Sequence, residues 1–133
     1  MPFILDASAT ASWCFDDESA AAADAAMERL PADHAVVPAL WWFEVRNILI
    51  VNERRGRIEP VDSDVFLDDL ARLPIRIESH TSERLVVALA RKHRLTAYDA
   101  AYLALAVRLT APIATLDRAL ADAAHAEGLE LVR

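Results

Sequence analysis

The chain has 133 residues, 55% of them hydrophobic, and only two glycines; this excludes a disordered or fibrous polymer and fits one compact, helix-rich domain over residues 1–133. A net charge of −7 argues against nonspecific nucleic-acid affinity, which needs Lys and Arg against phosphate, but not against a nucleic-acid enzyme whose carboxylates hold cations. No apolar run is long enough to cross a bilayer and no signal peptide is evident, so a soluble, cytoplasmic protein is expected, and the lone Cys14 excludes an internal disulfide and a Cys-based zinc site.

Phe3-Ile4-Leu5 is too short and apolar for a helix and reads as a buried strand ending at Asp6. Asp6-Ala7-Ser8 opens a helix to about Phe15. Ser19 can cap a second helix from Ala20 to Leu30, closed by Pro31. Ala35-Val36-Val37 is a second strand. Pro38 suits the first turn of a third helix, Ala39 to Arg55, with Gly56 as its stop. A fourth helix spans about Val61 to Arg72, and Ile75-Arg76-Ile77 is a third strand. Ser82 to His93 is helical.

The next helix, from Ala97 to about Leu109, carries no charge between Asp99 and Arg108 and has almost no polar face, so it is expected to be buried on nearly every side. Pro112 to Thr115 is a fourth strand, Asp117 to Ala126 a last helix, and Leu129 to Val132 a last short strand. Short strands alternating with helices predict an α/β fold, a three-layer α/β/α sandwich on a mostly parallel sheet.

Four carboxylates stand at informative places. Asp6 and Asp117 follow strands, at the sheet edge where open parallel sheets bind ligands. Asp99 shares a helix face with Tyr102, Leu103 and Ala106. Glu44 shares one with Leu40, Ile48 and Val51, and with Asn47 one turn on. Each acid has a structural reading: Asp6 and Asp117 as N-caps, Asp99 in a capping box with Thr96, Glu44 in an ion pair with an arginine. Glu44 is no cap, however, Arg46 points away from it, and Lys92 is the sole lysine of the chain. Clustered carboxylates in a low-dielectric site need a cation to offset their repulsion, and all-oxygen ligation suits Mg²⁺ or Mn²⁺. Such ions polarise phosphoryl oxygens and lower the pKa of bound water, the chemistry of phosphodiester hydrolysis.

The segments F-I-L-D-A-S (Phe3–Ser8), P-A-L-W-W-F-E-V-R-N (Pro38–Asn47), L-T-A-Y-D-A-A-Y-L-A-L-A (Leu95–Ala106) and P-I-A-T-L-D-R-A-L (Pro112–Leu120) resemble, in order and across the whole chain, the PIN domain and above all the VapC-type ribonuclease toxins of bacterial toxin–antitoxin pairs. The resemblance implies an acidic pocket binding Mg²⁺ or Mn²⁺, with Asp6, Glu44, Asp99 and Asp117 as its catalytic and metal-binding residues. Asp6, Asp99 and Asp117 would hold the ion, and Glu44 would ligate a second ion or orient the attacking water. Ser8 and Thr115 match hydroxyl positions lining the pocket, and Asn47 a polar position behind it.

The resemblance further implies an RNA substrate, a cognate antitoxin as partner, and a homodimer. Adjacent Trp41 and Trp42 cannot face the same way, so one of them is expected on a partner surface. Two basic groups, Arg46, Arg54, Arg55 and Arg57, and Arg91, Lys92 and Arg94, are available to steer RNA but read somewhat better as solvated helix ends. His34, His80, His93 and His125 are dispersed and expected at the surface, and Cys14 in the core. An aspartyl phosphatase would need D-x-D where Ser8 stands. The alternative from another class is a PIN-like module that binds protein without cleaving, which would be expected to have lost its acids.

Overall fold

The computed structural model describes residues 1–15, 20–80 and 82–133. In it four parallel strands, β1 (Phe3–Leu5), β2 (Ala35–Pro38), β3 (Ile75–Glu78) and β4 (Ile113–Ala114), lie in the order β3-β2-β1-β4. Ile4 pairs with Val36 on one side and Ile113 on the other. Seven helices among the described residues fill the connections: α1 (Ala7–Ser12), α2 (Ala21–Arg29), α3 (Leu40–Arg54), α4 (Pro60–Leu70), α5 (Glu83–His93), α6 (Ala97–Leu109) and α7 (Arg118–Ala126). The fold is the expected α/β sandwich on a parallel sheet.

The chain walks outward from β1 to β2 to β3, then returns to place β4 on the other side of β1. The carboxyl ends of β1 and β4 therefore flank the point where the winding reverses, the place where open α/β sheets bind ligands. Helix α6 lies against β1 and β2 and packs on α5 and α7. Every residue from Ala100 to Ala106 is buried, as a helix without a polar face must be. Across the molecule α3 packs on α1.

Several boundaries differ from the sequence reading, each for a local reason. Helix α1 ends at Ser12, short of Phe15, where the chain turns at Trp13 and the Trp13 indole N–H donates to the Ala23 carbonyl of α2 at 2.9 Å. Pro38 closes β2 instead of opening α3. It lies beyond the last residue of β2 that pairs with β1, a position a proline can take. Helix α4 starts one residue early because Glu59 and Asp62 cap each other's backbone N–H groups. The last strand shrinks to one parallel bridge, Ile113 to Leu131. The Ser19 cap lies outside the described residues.

Trp41 and Trp42 do face opposite ways. Trp41 is buried, with its indole N–H on Thr10 Oγ1 at 2.9 Å, whereas Trp42 is exposed with Phe43 edge-on against it and the Arg46 guanidinium 3.8 Å above its ring. His93, expected at the surface, is instead largely enclosed. Its Nε2 lies 2.6 Å from Glu127 Oε2, which also accepts from Lys92 Nζ at 2.7 Å, tying the end of α5 to the end of α7. Cys14 is half-buried against the core. No helix is long and apolar enough to cross a membrane among the described residues.

Candidate functional site

Asp6 is the first residue past β1 and the N-cap of α1. Its structural and candidate roles coincide. Oδ1 accepts from the Ala9 backbone N–H at 2.9 Å and from Ser8 Oγ at 2.7 Å, and Oδ2 accepts from the Thr115 hydroxyl, which reaches across from the end of β4. Ser8 Oγ in turn accepts the Leu116 N–H at 3.0 Å, and Thr115 Oγ1 the Asp117 N–H at 2.9 Å. Two hydroxyls thus lace the ends of β1 and β4 together and hold both oxygens of one buried carboxylate. Burial is the stronger effect: it pushes Asp6 up from the ordinary 3.8 to about 6 despite the three hydrogen bonds, and the nearby Asp117 adds to it.

Asp117 caps α7 by accepting the Leu120 N–H at 3.2 Å. Asp99 sits half-buried in the first turn of α6, where Thr96 Oγ1 accepts its backbone N–H at 3.1 Å. Partial desolvation and the Asp117 charge raise its carboxyl, against the Thr96 hydrogen bond. Glu44 is half-buried on α3. Its carboxyl is raised by desolvation and by Asp99, while a 2.6 Å hydrogen bond from the Tyr102 hydroxyl works the other way.

The four acids are thus linked by like-charge repulsion in a chain, Glu44 to Asp99, Asp99 to Asp117, and Asp117 to Asp6. Among the described residues none has a Lys, Arg or His within ion-pair distance, so hydrogen bonds, and no paired cation there, offset that repulsion. The donors are all oxygen and anionic, the chemistry of a hard divalent cation that keeps most of its waters and takes only a few carboxylates from the protein. Among the described residues no three His, Cys, Asp or Glu side chains form a ready-made cage for an ion, so any ion here would lean on water and substrate oxygens.

Of the remaining expected residues, Ser8 and Thr115 touch Asp6 directly, and Asn47 is exposed on α3 one turn past Glu44. The basic groups are partly committed elsewhere. Arg46 stacks on Trp42, Arg57 lies over Phe15, and Lys92 is paired with Glu127, whereas Arg54, Arg55, Arg91 and Arg94 are exposed. Tyr102 had no site role on sequence grounds. It is buried at 1% exposure, and desolvation together with the Glu44 and Asp6 carboxylates drives its phenol strongly upward, so it stays a donor. Its place three residues after Asp99, on the same helix face, was the available signal.

Comparison with known proteins agrees with this fold. The family model described as PIN domain matches residues 3–126. Ribonuclease VapC3 of Pyrobaculum aerophilum is 33% identical over 125 residues, covering 92% of this chain and 94% of that protein. The crystal structure of PAE2754, from the same organism, superposes with a TM-score of 0.72 at 22% identity, over 92% of this chain and 79% of that one. The second similarity is one of fold.

Proposed function

The chain belongs to the PIN domain family, and from that premise we propose that it is a Mg²⁺- or Mn²⁺-dependent endoribonuclease, the toxin of a toxin–antitoxin pair. What supports the reading is pairwise repulsion, Glu44 with Asp99, Asp99 with Asp117 and Asp117 with Asp6, together with the place of Asp6 and Asp117 just past β1 and β4, where the winding of the sheet reverses; among the described residues none of the four acids has a cation within ion-pair distance. Folding maintains that repulsion at a cost, and a divalent ion would turn it into binding energy. The nearly full-length similarity to a protein named as a ribonuclease supports the same reading.

Asp6, Asp99 and Asp117 would hold the ion, and Glu44 would ligate a second one or orient the attacking water. When bound, the ion would polarise a phosphoryl oxygen and ease deprotonation of a water. The chain's own contribution is orientation. Ser8 and Thr115 fix both oxygens of Asp6, and the caps of α1 and α7 fix Asp6 and Asp117 to backbone that cannot swing. No Ser, Cys or His nucleophile is required.

Single-stranded or looped RNA is the substrate class. A cognate antitoxin, a homodimer built on exposed apolar surface such as Trp42 and Phe43, and a cytoplasmic setting complete the proposal. The test is cleavage of a labelled single-stranded RNA by metal-stripped protein resupplied with Mn²⁺. Asp99→Asn is expected to lose at least about a hundredfold in rate, on the scale of losing one charge-stabilising group from a preorganised site. Cleavage by Asp99→Asn at the wild-type rate would mean the carboxylates are not the reacting machinery, and absence of cleavage by both proteins would favour the non-catalytic binding module.

A further inference from the structure

We propose that Tyr102 is a positioning residue for the nuclease site, its hydroxyl fixing the Glu44 carboxylate so that one oxygen remains presented for a metal ion. The inference rests on the ribonuclease reading above and extends it to a residue outside the acidic set.

The geometry is specific. Tyr102 Oη donates to Glu44 Oε1 at 2.6 Å, a length typical of a charge-assisted bond, between α6 and α3 and across 58 residues of sequence. Glu44 Oε2 has no hydrogen-bond partner among the described residues. A free glutamate on a helix samples several rotamers, and ordering it costs conformational entropy each time it binds. Tyr102 removes that freedom in advance. Its ring is locked between buried neighbours on α6, so the donor it presents is as rigid as the helix.

Tyr102 also bridges two parts of the site. It lies on the same helix face as Asp99, one turn along, and it feels the charge of Asp6 as well as that of Glu44. Tyr102 therefore stands among three of the four acids and is bonded to Glu44, which caps no helix and receives no backbone N–H on its carboxylate among the described residues. Asp6 and Asp117 are fixed by helix caps, and Asp99 sits beside Thr96; among the described residues Tyr102 is the one hydrogen-bond partner of the Glu44 side chain.

A purely structural role would be simpler: a buried phenol needs some acceptor, and Glu44 is near. A double-mutant cycle on Mn²⁺ affinity separates the two, with binding followed by loss of the free-ion electron paramagnetic resonance signal and folding by thermal denaturation. In the wild-type background Tyr102→Phe, which keeps the ring, is expected to weaken Mn²⁺ binding about tenfold, the usual scale for losing a partner of a metal ligand. In a Glu44→Ala background the same change is expected to leave affinity within about twofold, because the side chain it acts through is gone. Unchanged affinity in Tyr102→Phe, or an equal loss in both backgrounds, would overturn the inference while leaving the ribonuclease reading intact. No Mn²⁺ binding by the wild-type protein would overturn that reading and the inference with it.

Discussion

Asp6 is a buried carboxylate beside a second one, Asp117. Three protein donors hold its oxygens, yet burial and the Asp117 charge leave it with a carboxyl at about 6. The sign of the resulting linkage is fixed. A folded-state value above the unfolded one means the native chain binds the proton more tightly, so stability from Asp6 is present at low pH and lost as pH rises. In metal-free protein, denaturation should show stability falling by up to about 3 kcal/mol between about pH 4 and pH 7 from this group. Glu44 and Asp99, both raised, push the same way more weakly. Asp6→Asn should flatten most of that fall. An unchanged pH profile in Asp6→Asn would show that its burial is not where the repulsion is stored.

The same scale shows what was legible in the sequence. An aspartate after a short apolar strand, an acid inside an aromatic helix face and an acid opening an uncharged helix can be recognised without coordinates. The Tyr102–Glu44 contact cannot, because it depends on how α3 and α6 are set across the molecule. Nor can the His93–Glu127 pair, where the partners are 34 residues apart and no spacing rule joins them.

At the scale of elements, two helices end on a glycine, whereas α5 and α6, which have none, still stop at His93 and Leu109 as their sequences predict. Gly56 and Gly128 take φ of +72° and +77° past α3 and α7, as C-terminal glycines do. Helices α5 and α6 instead end on Arg94 and Thr110, at φ of +55° and +50°. A β-branched residue in the left-handed region is strained by roughly 1–2 kcal/mol. Thr110 is exposed, so a glycine there removes the strain and loses no buried packing, at some cost in unfolded-state entropy. Thr110→Gly is expected to stabilise the protein by about 0.5–1 kcal/mol in urea denaturation. A loss of stability would show that the Thr110 side chain makes a contribution larger than its strain.

For the molecule as a whole, strand order matters more than any single element. The sequence shows that strands alternate with helices, but not that β4 returns beside β1. That return brings Thr115 and Asp117 to Asp6 from more than a hundred residues away and makes one site from separate motifs. It also sets the Asp117 charge beside that of Asp6 in a chain whose net charge is −7, a repulsion that a bound divalent ion would offset.

The most direct measurement is therefore calorimetric titration of Mn²⁺ into metal-stripped protein, wild type beside Asp6→Asn and Asp99→Asn. The carboxylate account predicts a saturable binding heat for the wild type that is lost or greatly weakened in both variants; no heat in the wild type, or the same isotherm in all three proteins, would contradict it.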